Sequence, residues 1–254
     1  MLGVMVAQAL AWLTRPLGHG IDEDRLTAVF PELDPTASRG ARQRTWENFL
    51  KGEAVEAAVM RGRYPRLVPN AQLTALRPPL VLASFHVGPW PALAAALVEL
   101  PGEVLALDRG QFGPLPHLTM LAGGEDTGAR AAAFNRALGA LRSGGFAFVT
   151  VDAFHQQEFD VASIEVPVLG RTLPLARGAF ALARIARVPL VPIVARWRGT
   201  ALEVELGPAL RVGAGGERSL AEAAGSWIER YVRARPGEMS VFMLERLQPP
   251  VLSG

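Results

Sequence analysis

Cysteine is absent from the 254-residue sequence, and histidine is scarce, with only His19, His86, His117 and His155. Without cysteine, the chain has no disulfide bond, no thiolate zinc or iron–sulfur site and no thiol nucleophile. A three-histidine metal site would need nearly all four histidines, so we expect no metal centre.

Lysine is almost missing too, since Lys51 is the only one and every other basic side chain is an arginine. Arginine suits bidentate contact with phosphate or carboxylate. The charges nearly balance, with 26 basic and 24 acidic residues and a formal net charge of +2. No basic run is interleaved with aromatic residues, so we do not expect nucleic acid as a partner.

Long apolar runs are also missing, because no stretch approaches the 18 or so residues of a membrane-spanning helix. The segment Met1–Thr14 is apolar but too short, and it lacks the basic start of a secretory signal. Two interpretations of it stay open. It is either a helix lying in a membrane interface, with Trp12 at the boundary, or a helix packed on the domain.

The sequence does contain a helical start followed by alternating strands and helices. We predict a helix over Asp22–Phe30, ended by Pro31, and a longer one over Arg39–Met60, capped by Ser38. The spacing of the apolar residues in that longer helix predicts a core face containing Trp46, Phe49, Leu50, Val55, Ala58 and Val59, opposite a polar side with Arg42, Arg44, Glu47, Lys51 and Glu56.

Short apolar runs after Pro79 predict strands over 80–85, 103–108, 146–152, 162–170, 188–196 and 201–206. Helical patterns lie at 92–99, 130–141, 177–185 and 218–233. We therefore predict one domain over 1–254, with a helical N-terminal part (1–76) and an α/β core (77–254). The fold class is α/β, a three-layer sandwich with a mixed, largely parallel sheet.

Two polar side chains follow buried strands of this predicted sheet. His86 comes directly after the first strand, and Asp152 ends the third. Ligands of open α/β sheets bind at the carboxyl ends of strands, and a histidine there can transfer a proton near neutral pH. If the strands are neighbours, Asp152 can orient the imidazole. The alternatives are a core histidine with satisfied nitrogens and an aspartate that caps a turn.

Arg109, Arg171 and Arg177 stand at the ends of predicted elements near the same edge. Together they indicate an anionic ligand, although each alone is typical of surface charge. The sequence has no G-x-S-x-G nucleophile elbow, no P-loop and no H-E-x-x-H motif.

Several blocks of sequence carry a resemblance to a known family. They are His86-Val87-Gly88-Pro89-Trp90-Pro91, VTVDAF (149–154), VPVLGR (166–171), GAFALARIARVPLVPIVAR (178–196) and RPGEMSVFMLERL (235–247). From Arg39 to Arg246 the chain resembles the bacterial lipid A biosynthesis (lauroyl/myristoyl) acyltransferases of the lysophospholipid acyltransferase superfamily. That family carries a block like His-Phe-Gly-Asn-Trp-Glu after a buried strand.

The resemblance implies transfer of a fatty acyl group to a hydroxyl of a lipid or glycolipid, with His86 as general base. The donor would be an acyl-carrier protein or acyl-CoA thioester, acting as cosubstrate without a bound cofactor. The resemblance also implies a cytoplasmic location, peripheral on the inner membrane. Within the matching blocks, Gly88, Trp90 and Gly170 are the expected substrate-binding residues. Arg109, Arg171 and Arg177 join them because of their positions at the ends of predicted elements.

The chain departs from the family at position 91. The motif places Glu or Asp five residues after its histidine, whereas Pro91 stands there. Either Asp152 supplies the carboxylate, or the histidine acts unassisted, or the protein is a catalytically silent relative that binds acyl lipid or a carrier protein. A transferase acting on a small acceptor is a further alternative. We expect the first, with His86 in a cleft beside Trp90, Asp152 and Gly170 and an apolar channel behind.

Overall fold

The computed structural model describes residues 23–59, 63, 66–108, 118–122, 127–152 and 162–247. The segment Met1–Thr14 and Arg109 lie outside these ranges. Within these ranges, three helices precede the first strand: α1 (Glu23–Val29), α2 (Pro35–Val59) and α3 (Ala71–Ala75). Among the described residues, no helix is both long enough and apolar enough to cross a membrane.

Helix α2 begins four residues before the predicted start. Asp34 Oδ1 accepts hydrogen bonds from the backbone N–H groups of Thr36 (2.8 Å) and Ala37 (2.9 Å). An aspartate followed by a proline is a favoured helix start, because the proline needs no N–H partner there. The predicted cap, Ser38, instead lies within the helix and is buried.

The buried face of α2 also differs from the prediction. Ala41, Thr45, Asn48, Lys51 and Val55 are buried, with the three- and four-residue spacing of one helix face. The predicted core residues Trp46, Phe49 and Leu50 are only half-buried. The buried face of this helix therefore contains polar side chains.

The described residues then form eight strands: β1 (Leu80–Ser84), β2 (Val104–Asp108), β3 (Leu118–Ala122), β4 (Phe146–Thr150), β5 (Ser163–Val168), β6 (Arg171–Ala176), β7 (Leu190–Arg198) and β8 (Ala201–Leu206). Six of them form one sheet in the order β3-β2-β4-β1-β7-β8. Neighbours from β3 to β7 run parallel, and β8 is antiparallel to β7. The predicted mixed, largely parallel sheet is confirmed.

The remaining helices are α4 (Leu93–Leu97), which follows a 3₁₀ turn over Trp90–Ala92, α5 (Thr127–Arg142), α6 (Arg177–Ala186), α7 (Gly216–Ala234) and α8 (Val241–Arg246). Alternate residues of β1 enter two separate cores. Leu80 and Leu82 join the core that contains α4, and Val81 and Ala83 join the one that contains α5, α6 and α7. Both faces of the sheet are therefore covered, as in the predicted three-layer sandwich.

Strands β5 and β6 stand apart from this sheet as an antiparallel hairpin. We predicted the segment 162–170 as a single strand of the core. It instead folds back at Leu169 and Gly170, whose φ angles of 56° and 68° belong to a tight hairpin turn. The hairpin packs on α7, where a Cβ on Gly225 would lie 3.0 Å from Val166 Cγ2.

Candidate active site

The pairing of β1 with β4 brings two predicted site residues together. The strands are parallel neighbours, with Ser84 opposite Thr150. His86 and Asp152 each stand two residues beyond these positions, at the same edge of the sheet. The predicted proximity of the two side chains is confirmed, because His86 Nδ1 lies 3.0 Å from Asp152 Oδ1.

The contact between His86 and Asp152 is buried and has more than one point of attachment. The backbone N–H of His86 also donates to Asp152 Oδ1 (3.0 Å) and Oδ2 (2.9 Å). The side chains of His86 and Asp152 are 9% and 0% exposed. An Nδ1–H that donates to the carboxylate fixes the ring orientation and leaves Nε2 to accept a proton. The pair thus has the arrangement of a general base and its orienting acid.

Backbone contacts hold the loop after His86 against the 3₁₀ turn Pro236–Glu238 and the residues that follow it. Gly88 N–H donates to the Glu238 carbonyl (2.5 Å), and Ser240 N–H donates to the His86 carbonyl (3.3 Å). Gly88 has a φ of 61°, and a Cβ there would lie 2.2 Å from the Ala195 carbonyl oxygen. Close backbone packing therefore requires glycine at position 88, and a contact of Gly88 with substrate stays a prediction.

Two aromatic rings flank the imidazole. The Trp90 centroid lies 4.3 Å from that of His86, with its ring edge-on, and the Phe242 centroid lies 5.4 Å away. The two aromatic rings are themselves 6.3 Å apart. Phe242 is 41% exposed. Thus His86 is bounded by Asp152 on its Nδ1 side and by an aromatic pair elsewhere.

A small cavity lies behind Trp90, lined by Gly88, Phe49 and the polar side chains of Thr45, Asn48 and Glu238. Its volume of about 10 Å³ is near that needed for one water molecule. An acyl chain does not fit in it. The apolar channel expected beside His86 stays a prediction.

Glu238 is a buried carboxyl group that the sequence analysis missed. Its side chain accepts a hydrogen bond from Asn48 Nδ2 at 2.8 Å. Asn48 Nδ2 and Thr45 Oγ1 also donate to the Gly237 carbonyl, at 3.3 and 3.2 Å. Burial raises the pKa of Glu238, while Arg44 and the bond from Asn48 work in the opposite direction. The polar face of α2 thus holds the segment that pairs with the His86 loop.

Two of the three predicted arginines, Arg171 and Arg177, lie in the described part of the chain. Arg171 donates from Nη2 to the Ala28 carbonyl (3.3 Å), whereas Arg177 pairs with Glu217. The two arginines stand at opposite ends of β6, roughly 20 Å apart along the chain. That these arginines bind an anionic ligand stays a prediction. Gly170 forms the turn of that hairpin, and its role in binding substrate stays a prediction.

Glu217 joins two arginines on the surface of α6 and α7. Arg177 and Arg184, which are 53% and 48% exposed, both donate to this buried carboxylate. Burial alone would raise the pKa of Glu217, but the bonds and charges of the two arginines outweigh burial and lower it. The three side chains line an open depression of about 600 Å³ together with Arg218.

Comparison with known proteins gives a distant structural likeness. No protein-family model matches the chain, and no curated protein matches it. The fold is similar to the crystal structure of the 1-acyl-sn-glycerophosphate (LPA) acyltransferase PlsC from Thermotoga maritima, with a TM-score of 0.43 and 12% sequence identity over 92% of this chain and 94% of that chain. So distant a likeness carries no conclusion about activity. Membership of the lipid A acyltransferase family stays a prediction.

Proposed function

We propose that the protein is an O-acyltransferase in which His86 is the general base and Asp152 orients it. The observation that carries this proposal is the buried 3.0 Å contact between His86 Nδ1 and Asp152 Oδ1 at the carboxyl edge of the sheet. This edge is where α/β proteins bind their ligands. General-base assistance of this kind accelerates a reaction by about 10²–10⁴-fold.

The proposed reaction needs only proton transfer and acyl exchange. His86 Nε2 takes the proton of an acceptor hydroxyl as the hydroxyl oxygen attacks the carbonyl carbon of a thioester. The tetrahedral intermediate then collapses, the C–S bond breaks, and the leaving thiolate takes the proton back from the imidazolium. An ester and a thiol are released, and the base is restored. Asp152 offsets the positive charge that the ring carries between the two steps.

The substrates follow from the sequence resemblance. The donor is an acyl-CoA or acyl-carrier-protein thioester, and the acceptor is a hydroxyl of a lipid or glycolipid. The protein acts at a membrane surface, and neither a metal nor a bound cofactor takes part in this scheme. Asp152 substitutes for the acid that the family motif places at position 91, since Nδ1 of His86 already has a carboxylate partner.

A second candidate is a catalytically silent protein that binds acyl lipid or a carrier protein. The low exposure of His86, at 9% of its side chain, favours this candidate. Pro91 at the position of the motif acid favours it as well. In this account the His86–Asp152 contact only stabilises the fold.

A transfer assay separates the two candidates. Radiolabelled dodecanoyl-CoA and dodecanoyl-carrier protein are each incubated with the protein and a panel of lysophospholipids and glycolipids, and labelled esters are separated and counted. We expect ester formation by the wild type and its loss in His86→Ala, while Glu99→Gln, an exposed carboxyl variant, stays active. Acyl binding without ester formation on any acceptor would favour the silent protein.

A further inference from the structure

Phe242 is an exposed aromatic side chain whose ring lies next to the imidazole of His86. Asp152 occupies the Nδ1 side of the ring, and the cavity behind Trp90 holds about one water molecule. Phe242 is 41% exposed, and its centroid is 5.4 Å from that of the imidazole. An apolar group that covers Phe242 would therefore lie next to the proposed base.

Phe242 is a large apolar side chain that is exposed to solvent. Three large apolar residues are exposed in the described part of the chain, namely Ile185, Val212 and Phe242. The ring of Phe242 lies beside the imidazole of His86. An apolar ligand that covers the exposed part of this ring removes apolar surface from water, which favours binding.

The position of Phe242 is fixed by the same bonds that hold the His86 loop. Ser240 N–H donates to the His86 carbonyl (3.3 Å), and Ser240 Oγ caps α8 by accepting from Met243 N–H (3.1 Å). Phe242 follows two residues after Ser240, in the first turn of α8. The hydrogen bonds of Ser240 thus fix the position of the Phe242 ring relative to His86.

We propose that Phe242 is a specificity-determining residue, forming the wall against which the aliphatic chain of the acyl group lies next to His86. The inference rests on the proposed acyl transfer and names the residue that recognises the chain. A phenyl ring offers no hydrogen bond to a headgroup, so its contribution is contact with methylene groups. That contribution grows with the length of the acyl chain.

The test compares a short and a long donor, butyryl-CoA and dodecanoyl-CoA, in steady-state transfer assays. We expect Phe242→Ala to raise KM for dodecanoyl-CoA about tenfold or more and to change KM for butyryl-CoA less than about twofold. Phe242→Leu should recover most of the loss. Ile185→Ala, which removes an apolar side chain of similar exposure (40%), is the matched control and should leave both values unchanged. Equal effects of Phe242→Ala on the two donors, or none, would overturn the inference.

A binding measurement keeps this test separate from the proposed function. Calorimetry with non-reactive thioether analogues of the two donors reports affinity without turnover. If the wild type and His86→Ala prefer the dodecanoyl analogue and Phe242→Ala loses that preference, the inference stands even where no transfer is seen. If the wild type transfers acyl groups but binds the two analogues equally, the inference fails and the proposed function survives.

Discussion

Asn48 of α2 donates a hydrogen bond of 2.8 Å to the buried carboxyl group of Glu238, 190 residues further along the chain. The carbonyl of the same Glu238 accepts the N–H of Gly88, two residues from His86. Helix α2 and the 3₁₀ turn Pro236–Glu238 are thereby both attached to the loop that carries the proposed base. This attachment has consequences for stability that can be measured.

We predict that stability depends on pH through Glu238. Its carboxyl group faces Asn48, Arg44, Arg196, Arg235, Lys51 and Tyr231. Burial raises its pKa above the ordinary 4.5, so the folded chain holds this proton more tightly than the unfolded chain. The contribution to the free energy of unfolding is complete below about pH 4.5 and is lost as the pH rises through the raised pKa.

Denaturant unfolding of the wild type and Glu238→Gln from about pH 4, near the ordinary carboxyl pKa, up to about pH 8 measures this effect. Each tenfold difference in proton affinity between folded and unfolded chains corresponds to about 1.4 kcal/mol. The wild type should lose stability relative to Glu238→Gln as the pH rises, whereas Glu99→Gln should follow the wild type. A constant difference across the range would show that Glu238 keeps its ordinary pKa.

Gly88→Ala should destabilise the protein by at least about 2 kcal/mol, because the new Cβ would lie 2.2 Å from the Ala195 carbonyl and φ is 61°. The matched control is Gly40→Ala in α2, where a Cβ would have no neighbour within 4 Å. That change should stabilise the helix by about 0.5–1 kcal/mol. Thermal unfolding of both variants checks the pair, and similar midpoints would contradict the packing described for the His86 loop.

Glu217→Gln should destabilise the protein by about 1 kcal/mol at neutral pH, since its two arginine partners are about half exposed. The pKa of Glu217 is lowered in the folded chain, so its contribution is present above the ordinary value of 4.5 and is lost as the pH falls through the lowered pKa. Unfolding curves at pH values on both sides of about 4 should therefore converge at the acid end. Glu222→Gln, which removes the exposed carboxylate bonded to Arg218, should have a smaller effect.

Local sequence was enough to predict most strands and the edge that carries His86 and Asp152. Continuous apolar runs such as 80–85 and 146–152 indicate buried strands. This prediction does not depend on which other strands pair with them. Whether these two strands are adjacent depends on long-range pairing, so the contact between His86 and Asp152 was predicted only conditionally. In the structure β4 is the neighbour of β1, and this adjacency brings the two residues together.

Other features depend on residues distant in sequence. Thr45 and Asn48 are buried because Gly237 and Glu238 offer them partners, and apolar periodicity gave no sign of this. The β5–β6 hairpin was missed because alternation over 162–170 fits both a sheet strand and one arm of a hairpin. The repeated alternation after Leu169-Gly170 was the available signal. Phe242 lies in the block 235–247, which indicated a resemblance to the acyltransferases. The position of Phe242 next to His86 could not be predicted from that block.

The rate of acyl transfer in His86→Ala, Asp152→Asn and the double variant tests the central claim most directly. If Asp152 acts by orienting His86, Asp152→Asn should lower kcat by about a hundredfold, and adding it to His86→Ala should cost little more, since the two residues act as one unit. Circular dichroism should show all three variants folded. A fully active Asp152→Asn, or independent losses that multiply in the double variant, would contradict the account.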